Sequence, residues 1–278
     1  MKLFIDSANL EEIKKVKDWG LLDGVTTNPS LIKKAVDGLK NSGKKIEIES
    51  YIKQILKTAG KGKPVSLEVV GSDFKEMVKE GKILFKKFNT VKKNVYIKIP
   101  VNPCLEEKCD RNSDGIKAIK ELSKSKIPIN CTLIFTPEQA LLAAKAGAKI
   151  VSPFVGRVDD YIRELNRIQF GKSDYFPARG IKNSSGKILA DKGIFSGVDL
   201  IQKIKEIFNK QKIKTEILAA SIRNKIQFRE SALAGADIAT VPFDVIESLL
   251  KHCKTAEGMK KFTKDIVPEY AKLVGFKK

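Results

Sequence analysis

The sequence predicts an α/β protein in the form of one closed (β/α)8 barrel. Two observations carry that expectation. Eight short apolar runs of strand length alternate with segments whose apolar residues recur at helical spacing. The polar residues within those runs fall late, toward the end that a parallel barrel uses for chemistry. A doubly wound open sheet is the alternative, and the count of eight runs favours closure.

Residues 1–6 read as the first strand, and 9–19 as a helix with Leu10, Ile13 and Val16 on one face. Residues 23–27 form the second strand, broken by Asn28 and Pro29. A helix over 46–58 turns Ile48, Ile52, Ile55 and Leu56 inward, and 64–70 is the third strand, with Ser72 or Asp73 able to cap the helix after it. Residues 95–100 and 127–133 are the fourth and fifth strands, with a helix at 116–123 between them. Thr136, Pro137 and Gln139 mark a helix start: a cap, a proline in the first turn and a capping box. That helix stops at Gly147, and 149–153 is the sixth strand. Helices at 199–210 and 227–234 flank the seventh strand at 215–221, and the eighth runs over 237–241. Helices at 245–250 and 256–273 end the chain. Residues 102–114 and 163–197 exceed short connections and read as insertions on one domain over 1–278.

Basic residues number 53 against 33 acidic, a formal net charge of +20. A nucleic-acid partner is one reading of that charge. The lysines are scattered in pairs, such as Lys14 with Lys15, Lys44 with Lys45 and Lys86 with Lys87, and alternate with glutamates on helix faces. That pattern reads as solvated surface. No apolar run is long enough for a membrane span and no signal peptide is evident, so a cytoplasmic protein is expected. Cys104, Cys109, Cys131 and Cys253 do not make a disulfide framework, and reduced thiols are expected. One histidine, His252, argues against a zinc site and a Ser-His-Asp set. GKGKP at 60–64 and GKS at 171–173 lack the spacing of a phosphate loop.

The chemistry centres on VYIKIP at 95–100. Val95, Ile97 and Ile99 share one face of the strand, Tyr96 and Lys98 the other. A lysine in a strand covered on both faces is costly unless paired, partly wet or deprotonated. It is either a snorkelling or ion-paired side chain, or a desolvated amine that attacks a carbonyl to form a Schiff base. The same parity places Asp6 with Phe4, Thr26 with Asn28, Glu68 with Ser66, and Asn130 with Thr132, while Ser152 and Ser221 end the sixth and seventh strands. Two carboxylates, an amide, hydroxyls and one lysine then converge on one pocket, a set suited to imine chemistry with proton shuttling. Arg157 and Arg223, after strands six and seven, could hold a phosphate bidentately.

FIDSAN at 4–9, GVTTNPSLI at 24–32, VSLEV at 65–69, IKIP at 97–100, NCTLIF at 130–135, SPFVGR at 152–157 and AASIRN at 219–224 together resemble the transaldolase family. ALAGADIATVPFDV at 232–245 looks like its shorter members, the group with fructose-6-phosphate aldolase. The resemblance implies a class I aldolase-type TIM barrel without metal or other cofactor. It implies transfer of a dihydroxyacetone unit from sedoheptulose 7-phosphate or fructose 6-phosphate to an aldose phosphate, in the pentose phosphate pathway. In it Lys98 matches the Schiff-base lysine and Asp6 the acid/base of carbon–carbon cleavage. Glu68 and Thr132 match the pair that holds the catalytic water. Thr26, Asn28 and Asn130 match substrate contacts, Ser152 and Phe154 the pocket wall, and Arg157, Ser221 and Arg223 the phosphate site. A ring-like homo-oligomer, with the C-terminal helix on a neighbour, is also implied.

The insertions near 102–114 and 163–197 depart from the shorter members. Glu68 and Phe154 stand where the related aldolase has glutamine and tyrosine, which points toward transfer. The competing readings are an aldolase using free dihydroxyacetone and, from another class, a non-catalytic basic protein that binds nucleic acid.

Overall fold

The structure, a computed structural model, describes residues 1–41, 43, 45–106 and 108–276. Lys44, Glu107 of the 102–114 insertion, and the last two residues lie outside the described residues. Among the described residues, eight parallel strands close into a barrel in chain order: β1 (Lys2–Asp6), β2 (Gly24–Thr26), β3 (Val65–Glu68), β4 (Val95–Pro100), β5 (Ile129–Ile134), β6 (Ile150–Pro153), β7 (Glu216–Ala219) and β8 (Ile238–Val241). The connections carry helices α1 (Leu10–Asp18), α2 (Pro29–Asn41), α3 (Ile48–Ala59), α4 (Phe74–Lys92), α5 (Asp114–Lys124), α6 (Pro137–Ala146), α7 (Val155–Leu165), α8 (Gly197–Lys210) and α9 (Lys225–Leu233). After β8 follow α10 (Phe243–Leu249), α11 (Cys253–Lys264) and α12 (Pro268–Leu273).

Strand parity builds two cores. Outward residues such as Ile5, Val25, Ile97, Ile129 and Val151 pack against inward helix residues such as Ile13, Val16, Ile55 and Leu56. Inside the barrel, Phe4, Ile150, Leu218 and Ile238 form a plug, joined by Tyr96 and Phe154. Phe4 fits because its neighbour on β2 is Gly24, where a Cβ would lie 2.5 Å from the ring. The plug closes the amino-terminal half, so the inward residues one step later on each strand face a pocket at the carboxyl end.

Local signals explain most element starts. The capping box of Thr136 and Gln139 opens α6, and Asp73, not Ser72, caps α4. Asn28 and Pro29, expected only to break a strand, begin α2: the Asn28 side chain accepts from Leu31 N at 2.9 Å, and Pro29 takes the first turn. The unexpected α7 follows β6 at once and has no side-chain cap, so the sequence carries no start signal there. The helix expected over 256–273 is two helices, α11 and α12, because Pro268 lacks the N–H that would continue the ladder.

The expectation of reduced cysteines fails at one pair. Cys104 and Cys109 form a disulfide within the connection from β4 to α5. Asn102 accepts from Cys104 N at 2.9 Å and turns the chain back, which lets cysteines only 5 positions apart meet. Cys131 and Cys253 are free.

Candidate active site

Register brings the polar residues to one level. Glu68 on β3 pairs with Lys98 on β4, and Lys98 with Asn130 on β5. Lys98 is 6% exposed, which rules out snorkelling to solvent. Its Nζ stands 3.0 Å from Glu68 Oε2 and donates to the Thr27 carbonyl at 3.0 Å. The amine is therefore both buried and ion-paired.

Asp6 on β1 accepts a hydrogen bond from Thr26 Oγ1 at 2.7 Å. Thr26 Oγ1 also lies 2.5 Å from Thr240 Oγ1 on β8. Thr26 has one proton and gives it to Asp6, so Thr240 is the donor in the second contact. Burial pushes the Asp6 carboxyl above its usual range, opposed by the Thr26 bond and the charge of Lys98. Asp6 thus holds a proton more readily than a solvated aspartate does.

Across the pocket, Ser152 donates to Asn130 Oδ1 at 2.6 Å and Asn130 Nδ2 donates to Ser66 Oγ at 3.1 Å. That chain fixes which way the amide points. Thr132 Oγ1 is buried and has no hydrogen-bond partner among the described residues. Buried hydroxyls almost always have a partner, so an orphaned one in a pocket is aimed at a ligand or water. Just beyond it the pairing of β5 with β6 shifts register, and Leu133 takes φ 57°. A leucine in the left-handed region costs about 1–3 kcal/mol, a strain typical of functional sites.

The arginines form a second group, farther out. Arg157 lies over the Phe154 ring at 5.2 Å, and Phe154 packs both on the barrel plug and on Phe135 at 5.7 Å. Arg223 is held by Asp160. Ser221 has φ 60°, and its carbonyl accepts from Gly156 N at 3.2 Å. Phe154 therefore links the inner group to the outer one. Asn28 Oδ1 caps α2, which leaves the Nδ2 protons of its amide uncommitted to that cap.

Sequence reasoning left Thr240, the Thr27 carbonyl and Asp160 out of the site. Strand parity could have found Thr240, which shares a face with Ile238. Nothing local marks Asp160, which stands on the helix without a start signal. Among the described residues no group of three or more His, Cys, Asp or Glu is placed to hold a metal ion. No helix of the described residues is long and apolar enough to cross a membrane.

A closed β/α barrel with a buried amine, two carboxylates and aligned hydroxyls at its carboxyl end is an enzyme active site of the aldolase-type class. The sequence profile described as transaldolase/fructose-6-phosphate aldolase matches residues 3–274, and the chain belongs to that family. The probable transaldolase of Thermoplasma acidophilum is 42% identical over 266 residues, covering 95% of each chain. That of Aquifex aeolicus is 42% identical over 265 residues, covering 95% of this chain and 96% of its own. That of Nitrosopumilus maritimus is 42% identical over 266 residues, covering 95% and 94%.

Proposed function

We propose that the protein is a transaldolase that carries a dihydroxyacetone unit as an imine on Lys98. The unit comes from a ketose phosphate, fructose 6-phosphate or sedoheptulose 7-phosphate, and passes to an aldose phosphate, as in the pentose phosphate pathway. The observation that carries this reading is the buried Lys98 amine 3.0 Å from Glu68, with Asp6 in its field.

The amine needs its lone pair, and transfer of its proton to Glu68 supplies it. The amine then adds to the ketose carbonyl, and loss of water gives the imine. A water between Glu68 and the unpartnered Thr132 hydroxyl would relay those protons. The imine draws electrons toward C2, so the C3–C4 bond breaks once a base takes the C4 hydroxyl proton. Asp6 suits that role, because burial makes its carboxylate a better base than a solvated one. Attack of the resulting enamine on the acceptor aldehyde runs the same steps backward, with Asp6 returning the proton. Asn130, Ser152, Thr26 and Asn28 line the path of the sugar hydroxyls, and Arg157, Ser221 and Arg223 take the phosphate end.

Glu68 and Phe154 favour transfer over release of free dihydroxyacetone. A carboxylate can both orient and deprotonate a water, and a phenyl ring offers it no hydrogen bond. The test is borohydride reduction in the presence of fructose 6-phosphate, followed by peptide mapping. A single adduct on Lys98 is expected, and an adduct elsewhere, or none, overturns the reading.

We also propose self-association through the C-terminal helices. Neither α11 nor α12 contains a buried residue, and Met259, Phe262, Tyr270 and Leu273 are exposed.

A further inference from the structure

The Asp160 carboxylate on α7 meets Arg223 end-on: Oδ1 accepts from Nη1 at 2.5 Å, and Oδ2 lies 2.5 Å from Nη2. A guanidinium has five N–H donors and two edges able to grip an anion with two parallel bonds. Asp160 occupies the end-on edge, and the other Nη1 proton points to the Lys172 carbonyl at 3.4 Å. The side-on edge remains, made of Nε and the outer proton of Nη2. Its Nε packs close to the first turn of α7 at Gly156, where a Cβ would stand 2.8 Å from Arg223 Nε. That turn carries the positive end of the helix dipole, and Arg157 follows directly.

We infer that Asp160 is the positioning residue that turns Arg223 side-on to a substrate phosphate, and so sets the preference for phosphorylated sugars. The inference rests on reading the site as one for sugar phosphates. Two further observations support it. Arg163 Nη1 approaches Asp160 Oδ1 from the other side at 3.9 Å, and Arg163 is itself 4.9 Å from both the Phe170 and the Phe176 ring. The carboxylate is thus braced between two cations. In addition, the adjoining cavity of about 510 Å³ is lined by Arg157, Arg223, Asp160, Tyr161, Glu164 and Asp191. Three carboxylates oppose two guanidiniums there, so net charge does not select a dianion. Orientation of the free arginine edge does.

The test titrates inorganic phosphate calorimetrically into wild type, Asp160→Asn, Arg223→Ala and the double variant, with melting curves as a check of folding. Asparagine keeps the size of Asp160 but offers one acceptor oxygen instead of two. Binding in Asp160→Asn should weaken about tenfold, the worth of one charge-assisted hydrogen bond. The double variant should be no weaker than Arg223→Ala, since Asp160 acts through that residue. Asp160→Glu, which restores both oxygens, should recover part of the loss. The inference is overturned if Asp160→Asn binds phosphate as tightly as wild type or tighter, if its effect persists in full beside Arg223→Ala, or if wild type binds no phosphate. The expected phosphate pattern in a protein that gives no borohydride adduct would remove the Schiff-base reading and leave the role of Asp160 standing.

Discussion

Lys98 and Glu68 face each other across neighbouring strands at the same register level, and their side chains meet at 3.0 Å inside the barrel. Removing one partner of such a buried pair leaves the other charge uncompensated, at a cost of about 3–5 kcal/mol. Loss of either partner is therefore costly whether or not proton exchange between the two also does work.

If that exchange generates a nucleophile, Lys98→Arg should abolish borohydride trapping. Arginine keeps the charge and roughly the volume but stays protonated. Mass spectrometry of the reduced protein reads the adduct directly, and a normal adduct yield in the variant would sink the assignment.

Glu68→Gln separates two roles of the carboxylate. If Glu68 moves protons through a water, the variant should lose transfer by about 10²–10⁴-fold. Some aldol cleavage to free dihydroxyacetone should survive. Equal loss of both activities would mean that Glu68 only neutralises Lys98.

Arg223→Ala should weaken phosphorylated substrates by about 1.5–3 kcal/mol, the worth of a hydrogen bond to a charged group. Steady-state kinetics with fructose 6-phosphate and with fructose give the comparison. A loss of the same size for both sugars would count against a phosphate role.

Asp159 predicts a pH dependence of stability. Burial pushes its carboxyl up to about 7, against hydrogen bonds from Gly197 N and Gln227 Nε2. Between the ordinary aspartate value and about 7, the folded chain binds more protons than the unfolded one. Its contribution to stability is therefore full at low pH and is lost as pH rises through 7, by at most about 1.4 kcal/mol per unit. Urea denaturation of wild type and Asp159→Asn from pH 4 to 8 should show the variant gaining relative to wild type as pH rises. A constant difference would show that Asp159 keeps its ordinary acidity when folded.

Light scattering at micromolar concentration should find an oligomer. Truncation before α11 should shift it toward a monomer, because apolar side chains of α11 and α12 such as Met259, Phe262, Tyr270 and Leu273 are exposed among the described residues. A monomeric full-length chain would rule this out.

The sequence by itself determined where the eight strands fall, to within a few residues, and which face the polar residues inside them take, although Ser221, expected to end the seventh strand, lies beyond β7 at φ 60°. Strand parity is a local property, so Asp6, Glu68, Lys98, Asn130 and Thr132 could be assigned to the barrel interior without knowing their neighbours. The capping box at Thr136 was legible for the same reason. Only the tertiary structure decided what those residues touch. Thr240 reaches Thr26 across 214 positions because β8 closes against β1, and Arg223 reaches Asp160 across 63 because α7 packs beside the end of β7. The sequence could place arginines just after strands six and seven, but it could not show that one of them already holds a carboxylate. Such contacts depend on barrel closure and strand register, which are set by the packing of the whole chain and leave no periodic trace at either residue.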